Sequence, residues 1–187
     1  MSAATSFAVC RRVVYLTALA ILTSAHSGLA DPAAPPRDPH DPNSVFLVAK
    51  SENRNQVHYG VKLDDACNVV GTSPLYGYWR MLEKKGEIEP ILSREVRAYG
   101  IDPAQRIEKA GDATTIYARL NAIPDRLLRV TVARTAGRCQ AQATMSIAGT
   151  DAHLRLIYIR LTWPFGVDYI LLRGSRMADG HSVEEKI

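Results

Sequence analysis

Residues 138–147 read RCQAQATMSI, an alternation that runs unbroken across the whole stretch. Cys139, Ala141, Ala143, Met145 and Ile147 fall on one side of an extended chain, while Gln140, Gln142, Thr144 and Ser146 fall on the other. A helix cannot sort these residues, because its faces recur every 3.6 positions rather than every two. The stretch predicts a strand with one buried face, and it puts the sulfur of Cys139 on that face.

The same rhythm extends in both directions. Upstream lie residues 114–120 (TTIYARL) and 127–134 (LLRVTVAR), and downstream lie residues 153–162 and 167–173. Ala136-Gly137, Gly149-Thr150-Asp151 and Pro164-Phe165-Gly166 separate them at turn spacing, so this half reads as a five-stranded antiparallel meander. Earlier candidates are residues 45–50, residues 56–63 and residues 75–81. In the second of these, Val57, Tyr59, Val61 and Leu63 share one face. The expected fold is mainly β, an antiparallel meander of about eight strands that forms a barrel or barrel-like sandwich. Residues 153–162 are apolar on both faces, as suits a long strand bending around a barrel. One or two short helices complete it. One begins at Ser93, groups Leu92, Val96 and Tyr99, and stops at Gly100, and the other runs from Asp102-Pro103 toward Gly111.

The chain ends read differently. Arg11 and Arg12 precede the apolar run VVYLTALAIL at 13–22, and Gly28 and Ala30 fit a signal-peptidase exit. Ten residues rise only about 15 Å as a helix, half of a hydrocarbon core, so residues 1–30 are expected to be a cleaved secretory signal with no stable membrane span after processing. Cys10 precedes the apolar run, whereas a lipidated cysteine follows it. Residues 31–44 (DPAAPPRDPHDPNS) hold five of the ten prolines and predict a stiff, solvated tether. A single β domain should fill 45–176, with a frayed tail at 177–187.

The formal net charge is +4, of which Arg11 and Arg12 supply two, and no basic block occurs. Nucleic acid is therefore not an expected partner. Removal of the signal leaves Cys67 and Cys139, too far apart for a C-x-x-C redox motif, and export to the periplasm or cell exterior favours a structural disulfide between them.

Two stretches could carry a site. In SENRNQVHY at 51–59, Asn53 and Asn55 belong to a turn that either merely reverses the chain or forms, with Glu52 and Arg54, a polar rim with His58 just inside. In YGYWR at 76–80, Tyr76, Tyr78 and Arg80 share a face opposite Trp79. Such aromatics are either half-buried sheet residues or the lining of a sugar, peptide or apolar-ligand site. The candidate binding set is Asn53, Asn55, His58, Tyr76, Tyr78 and Arg80. H-E-x-x-H, G-x-S-x-G, glycine-rich phosphate loops and cysteine–histidine nucleophile patterns do not occur, so no catalytic residue, metal ligand or cofactor is assigned. Were the domain an enzyme, His58, Glu95 and Arg80 would be its ionisable set.

The series VFLVAKSENRNQVHYGVKL, YGYWRML and SREVRAYGI resembles the bacterial exported family catalogued as domain of unknown function 4833. The family's serine-x-asparagine-x-asparagine turn and following tyrosine correspond to Ser51, Asn53, Asn55 and Tyr59. Its tyrosine-tryptophan pair corresponds to Tyr78 and Trp79, and its alanine-tyrosine-glycine ending to Ala98, Tyr99 and Gly100. The resemblance covers about residues 45–175 and implies export and a single domain, but no activity, substrate or cofactor. The leading expectation is a non-catalytic module that binds a small molecule. An envelope-associated module binding a protein partner comes next, and an enzyme of unfamiliar type third.

Overall fold

The computed structural model describes Asp38, residues 40–163 and residues 166–187. The expected signal, and residues 31–37 and 39 of the expected tether, lie outside the described residues. Among the described residues eleven strands form one sheet: β1 Ser44–Lys50, β2 Gln56–Val61, β3 Leu75–Met81, β4 Glu87–Pro90, β5 Arg106–Ala110, β6 Ala113–Ala118, β7 Leu128–Thr135, β8 Arg138–Ile147, β9 Thr150–Thr162, β10 Gly166–Arg176 and β11 Ser182–Lys186. One helix, α1 Val96–Tyr99, and a 3-10 turn, Leu82–Lys84, are the helical elements among the described residues.

The meander β6-β7-β8-β9-β10 is present, each neighbouring pair antiparallel. The closed eight-stranded barrel is not: the sheet is curled but open, in the order β4-β3-β2-β1-β9-β8-β7-β6-β5, with β10 and β11 branching from β9. The reason lies in β9. Its first residues pair with β8, residues 156–159 pair in parallel with β1, and β10 takes its other edge. The sheet therefore forks at β9, its end strands β4 and β5 stay unjoined, and the parallel β1–β9 pairing breaks the purely antiparallel pattern.

A bulge explains why β9 is apolar on both faces. Gly174 pairs with Leu154 and Arg173 with Leu156, so Arg155 is an extra residue on β9. An extra residue shifts the alternation by one. Ala152 and Leu154 point into the core before it, and Ile157 and Ile159 after it.

Four further expectations are corrected. The helix expected beyond Pro103 is β5, paired with β6 from Ala110–Ala113 to Arg106–Tyr117. Asp102 spends its carboxylate on the Ala104 amide in a local turn, and a segment this short gains more from a strand partner than from a marginal helix. The expected frayed tail contains β11, which pairs with β10 from Ser175–Ser182 to Leu171–Lys186. The last residues of the tether are docked rather than solvated, as described below. Cys67 and Cys139 form a disulfide with Cα atoms 5.4 Å apart, tying the loop of residues 62–74 to the start of β8. Cys139 is half-buried there, not in the core.

Two tyrosine–glycine pairs set the spacing of β2 and β3. Tyr59 opposes Gly77 and Gly60 opposes Tyr76. A Cβ on Gly60 would lie 2.6 Å from the Tyr76 ring, and one on Gly77 would lie 3.1 Å from the Tyr59 ring. Each ring thus covers the backbone its partner leaves bare, one on each face of the sheet.

Candidate functional site

Alternation along β3 divides the residues singled out from the sequence. Trp79 opposes Val57 on the core side, whereas Tyr78 opposes His58 and Arg80 opposes Gln56 on the outer side. Asn53 and Asn55 line a depression together with Trp79. The candidate binding set of Asn53, Asn55, His58, Tyr76, Tyr78 and Arg80 is therefore divided between two places, one on each face. The ionisable set is split as well, since Glu95 bonds Trp79 on the face opposite His58 and Arg80.

The inner place is a half-open depression of about 230 Å³. Ser51 anchors its rim: its amide donates to the Ile159 carbonyl at 3.0 Å, and its Oγ accepts from the Leu161 amide at 3.0 Å. Asn53 Oδ1 accepts from the Asn55 amide at 3.1 Å, closing the turn. Asn55 is buried, and its Oδ1 accepts from the Glu83 amide at 3.2 Å. Trp79 forms the floor, its indole N–H donating to Glu95 Oε2 at 3.0 Å. Lys50 Nζ sits 5.2 Å from the centre of the Trp79 ring, and Glu89 and Arg94 complete the charged border.

Behind the floor is a knot of aromatics. Tyr99 meets Trp79 edge-on with centroids 4.9 Å apart. Tyr59 stacks on Phe46 at 4.6 Å and donates its hydroxyl to the Tyr99 carbonyl at 2.8 Å. Burial holds the Tyr59 hydroxyl firmly protonated and raises that of Tyr99, helped there by the charges of Glu52 and Glu95. Gly100 follows because a Cβ there would lie 2.4 Å from the Val96 carbonyl oxygen.

The outer place is a platform of near-parallel rings, His58–Tyr78 at 5.8 Å and Tyr78–Tyr76 at 6.2 Å, continued by Arg80. It is already occupied. Tyr76 donates to Asp41 Oδ2 at 2.7 Å, Tyr78 donates to Asp38 Oδ2 at 3.1 Å, and Arg80 Nε lies 3.6 Å from the same Asp38 oxygen. Burial pulls the Asp38 carboxyl upward, but the His40 amide, the Tyr78 hydroxyl and the positive charges of Arg80 and His58 leave it below its ordinary value. Burial keeps the tyrosine hydroxyls protonated, aided by the two carboxylates, and lowers His58. His58 Nε2 faces Gln56 Oε1 at 3.1 Å, and its buried Nδ1 has no hydrogen-bond partner.

Sequence reasoning missed Asp38 and Asp41, which sit in a proline-rich stretch. The available signal was the pair of aspartates itself, since aspartate closes local turns on its own backbone. Lys50, Glu89 and Arg94 gave no signal beyond ordinary surface charge. Among the described residues, no group of three or more histidine, cysteine or acidic side chains could hold a metal ion.

Residues 46–186 fit the model of a family described as a domain of unknown function (DUF4833). No curated protein and no solved structure matches the chain.

Proposed function

We propose that this chain, which belongs to the DUF4833 family, is a non-catalytic module that binds a small polar molecule in the periplasm or cell exterior. The observation that carries the reading is the depression over Trp79, where one aromatic floor meets two amides, two cations and two carboxylates. An aromatic surface takes the flat apolar face of a ligand, and convergent amides and charges fix its orientation. At about 230 Å³ the space is smaller than a drug-sized pocket and suits a single sugar ring or one amino-acid unit. Glu95 Oε2 already accepts two protein hydrogen bonds, which fits a positioning role better than proton transfer. Export is supported by the basic, apolar and small-residue succession of residues 1–30 and by the Cys67–Cys139 bond.

The test is a fluorescence titration of the processed chain carrying Trp163→Phe, which leaves Trp79 as its one tryptophan. Monosaccharides, amino sugars, amino acids and dipeptides are the probes. A ligand should change Trp79 emission saturably, and Asn53→Ala should weaken it. A panel that leaves the emission unchanged overturns the reading. Mass spectrometry of the exported protein should find a start at Asp31.

A second reading, an envelope protein-interaction module, is favoured by one observation. Trp163 is 94% exposed at the β9–β10 turn, with Val167 58% exposed beyond it. Contiguous apolar surface left in water marks docking sites, and this turn brings two large apolar side chains close in sequence. Trp163→Ser should then abolish capture of the partner while leaving the emission of Trp79 unaltered.

A further inference from the structure

The outer platform holds its occupant in an unusual way. Every side-chain donor comes from β3, and both carboxylates come from one short segment, Asp38 and residues 40–43. That segment shapes itself. Asp38 Oδ1 accepts from the His40 amide at 2.9 Å, Asp41 Oδ1 accepts from the Asn43 amide at 3.0 Å, and the Asp41 amide donates to the Asp38 carbonyl at 2.9 Å. Its link to β2 through the main chain is a 3.3 Å bond from the Val61 amide to the Asn43 carbonyl. Side chains therefore do most of the holding, and any peptide able to form the same aspartate turn can present the same two carboxylates.

The fit in cis is also incomplete. His58 is 6% exposed and its Nδ1 is left without a partner beside the occupied platform, although buried polar groups are normally paired. A ligand with one more polar group than the internal segment could satisfy it.

We propose that His58, Tyr76, Tyr78 and Arg80 form a receptor for acidic peptide segments with two carboxylates three residues apart, and that Asp38 and Asp41 fill it in cis as an internal pseudo-ligand. Phenol hydroxyls and a guanidinium are a donor set matched to carboxylates, and the stacked rings give a peptide backbone a flat apolar bed. Release of the internal segment opens the receptor. An acidic segment from a partner then takes its place. The receptor lies on the face opposite the Trp79 depression, so the two binding readings stand or fall separately.

The experiment uses a labelled peptide with the sequence of residues 36–44, PRDPHDPNS, and fluorescence anisotropy on the processed chain. The D38N/D41N variant, whose internal segment has lost its carboxylates, should bind the peptide about tenfold or more tighter than the wild-type chain. The same peptide with asparagine at both acidic positions should not bind. Adding Tyr78→Phe to D38N/D41N should weaken binding about tenfold, the loss of one charge-assisted bond. Asn53→Ala should leave it unchanged. Absence of peptide binding by folded D38N/D41N, judged by circular dichroism, overturns the proposal. Should D38N/D41N fail to fold, Asp41→Asn alone replaces it, and an affinity equal to wild type overturns the proposal equally. A wild-type dimer that D38N/D41N abolishes supports it, with a second copy supplying the acidic segment.

Discussion

Glu95 holds Trp79: its Oε2 accepts from the indole nitrogen at 3.0 Å and also from the Leu92 amide at 2.9 Å. One oxygen thereby fixes both the floor of the depression and the loop that borders it. Hydrogen bonds to a charged group contribute about 1.5–3 kcal/mol, and partial exposure of Glu95 reduces that. Glu95→Ala should cost about 1–2 kcal/mol in urea unfolding and shift Trp79 emission to the red in a Trp163→Phe background. Glu95→Gln keeps an acceptor and should lose about half as much. An unchanged emission maximum in Glu95→Ala would show that packing alone positions the indole.

Tyr59→Phe tests the knot behind that floor. Phenylalanine keeps the stack on Phe46 but strands the Tyr99 carbonyl, whose partner is a hydroxyl on a 2% exposed residue. An unsatisfied buried acceptor costs about 1–3 kcal/mol. The unfolding free energy should fall by that amount, with a lower denaturant midpoint and an unchanged slope.

Much of this architecture is legible in the sequence because period two is a local property. RCQAQATMSI announces β8, and the turns on either side of it order the meander from β6 to β10. Alternation in YGYWR also separates Trp79 from Tyr76, Tyr78 and Arg80. What stays hidden depends on distant partners. Leu47 pairs with Leu156 across the chain, and no local pattern marks so remote a pairing. Arg155 is a bulge only because β10 lacks a residue opposite it, so the phase change in β9 reads as a strand apolar on both sides. Residues 182–186 (SVEEK) resemble a solvated tail until Glu185 meets Arg126. Asn53 and Asn55 lie in a turn, where alternation lapses and no face can be assigned. That is why the sequence alone does not put the asparagine turn on the Trp79 side of the sheet.

Ala136 and Ala148 occupy left-handed backbone at φ +50°, each followed by glycine, in the β7–β8 and β8–β9 turns. Alanine pays about 1 kcal/mol or more there, whereas asparagine tolerates that backbone and asparagine–glycine is the favoured pair in such hairpins. Ala136→Asn should therefore raise stability by about 0.5–1 kcal/mol. Thermal unfolding gives the answer, and a lowered midpoint would refute the strain assigned to Ala136.

Reduction of Cys67–Cys139 frees a 72-residue separation in the unfolded chain. The chain-entropy account puts the loss at about 4 kcal/mol, and typical values run about 2–4. Cys67→Ser with Cys139→Ser should lower stability within that range and speed amide exchange across residues 62–74. Exchange confined to other segments would show that the disulfide is not what orders this loop.

Acid should weaken the attachment of β11 to the rest of the sheet. Arg126 reaches Glu185 with both guanidinium nitrogens, at 3.1 and 2.5 Å, and the Ala148 amide donates to the same carboxylate at 2.7 Å. The Arg126 bond comes first among the causes that hold Glu185 below its ordinary value of 4.5, against a smaller upward pull from burial. A carboxylate lowered by folding binds fewer protons in the folded state than in the unfolded one. Its contribution is complete above the unfolded value and disappears as the pH falls through the folded value. The side chains are 27% and 21% exposed, so the neutral-pH contribution is held to about 1–2 kcal/mol. Unfolding free energies from urea titration of the wild-type chain and Glu185→Gln should differ by that amount near neutral pH and converge well below pH 4.5, because other carboxylates titrate alike in both. Two curves that coincide from neutral to acid pH would mean that β11 is held by its ladder with β10 alone, and that the Arg126 contact adds nothing to it.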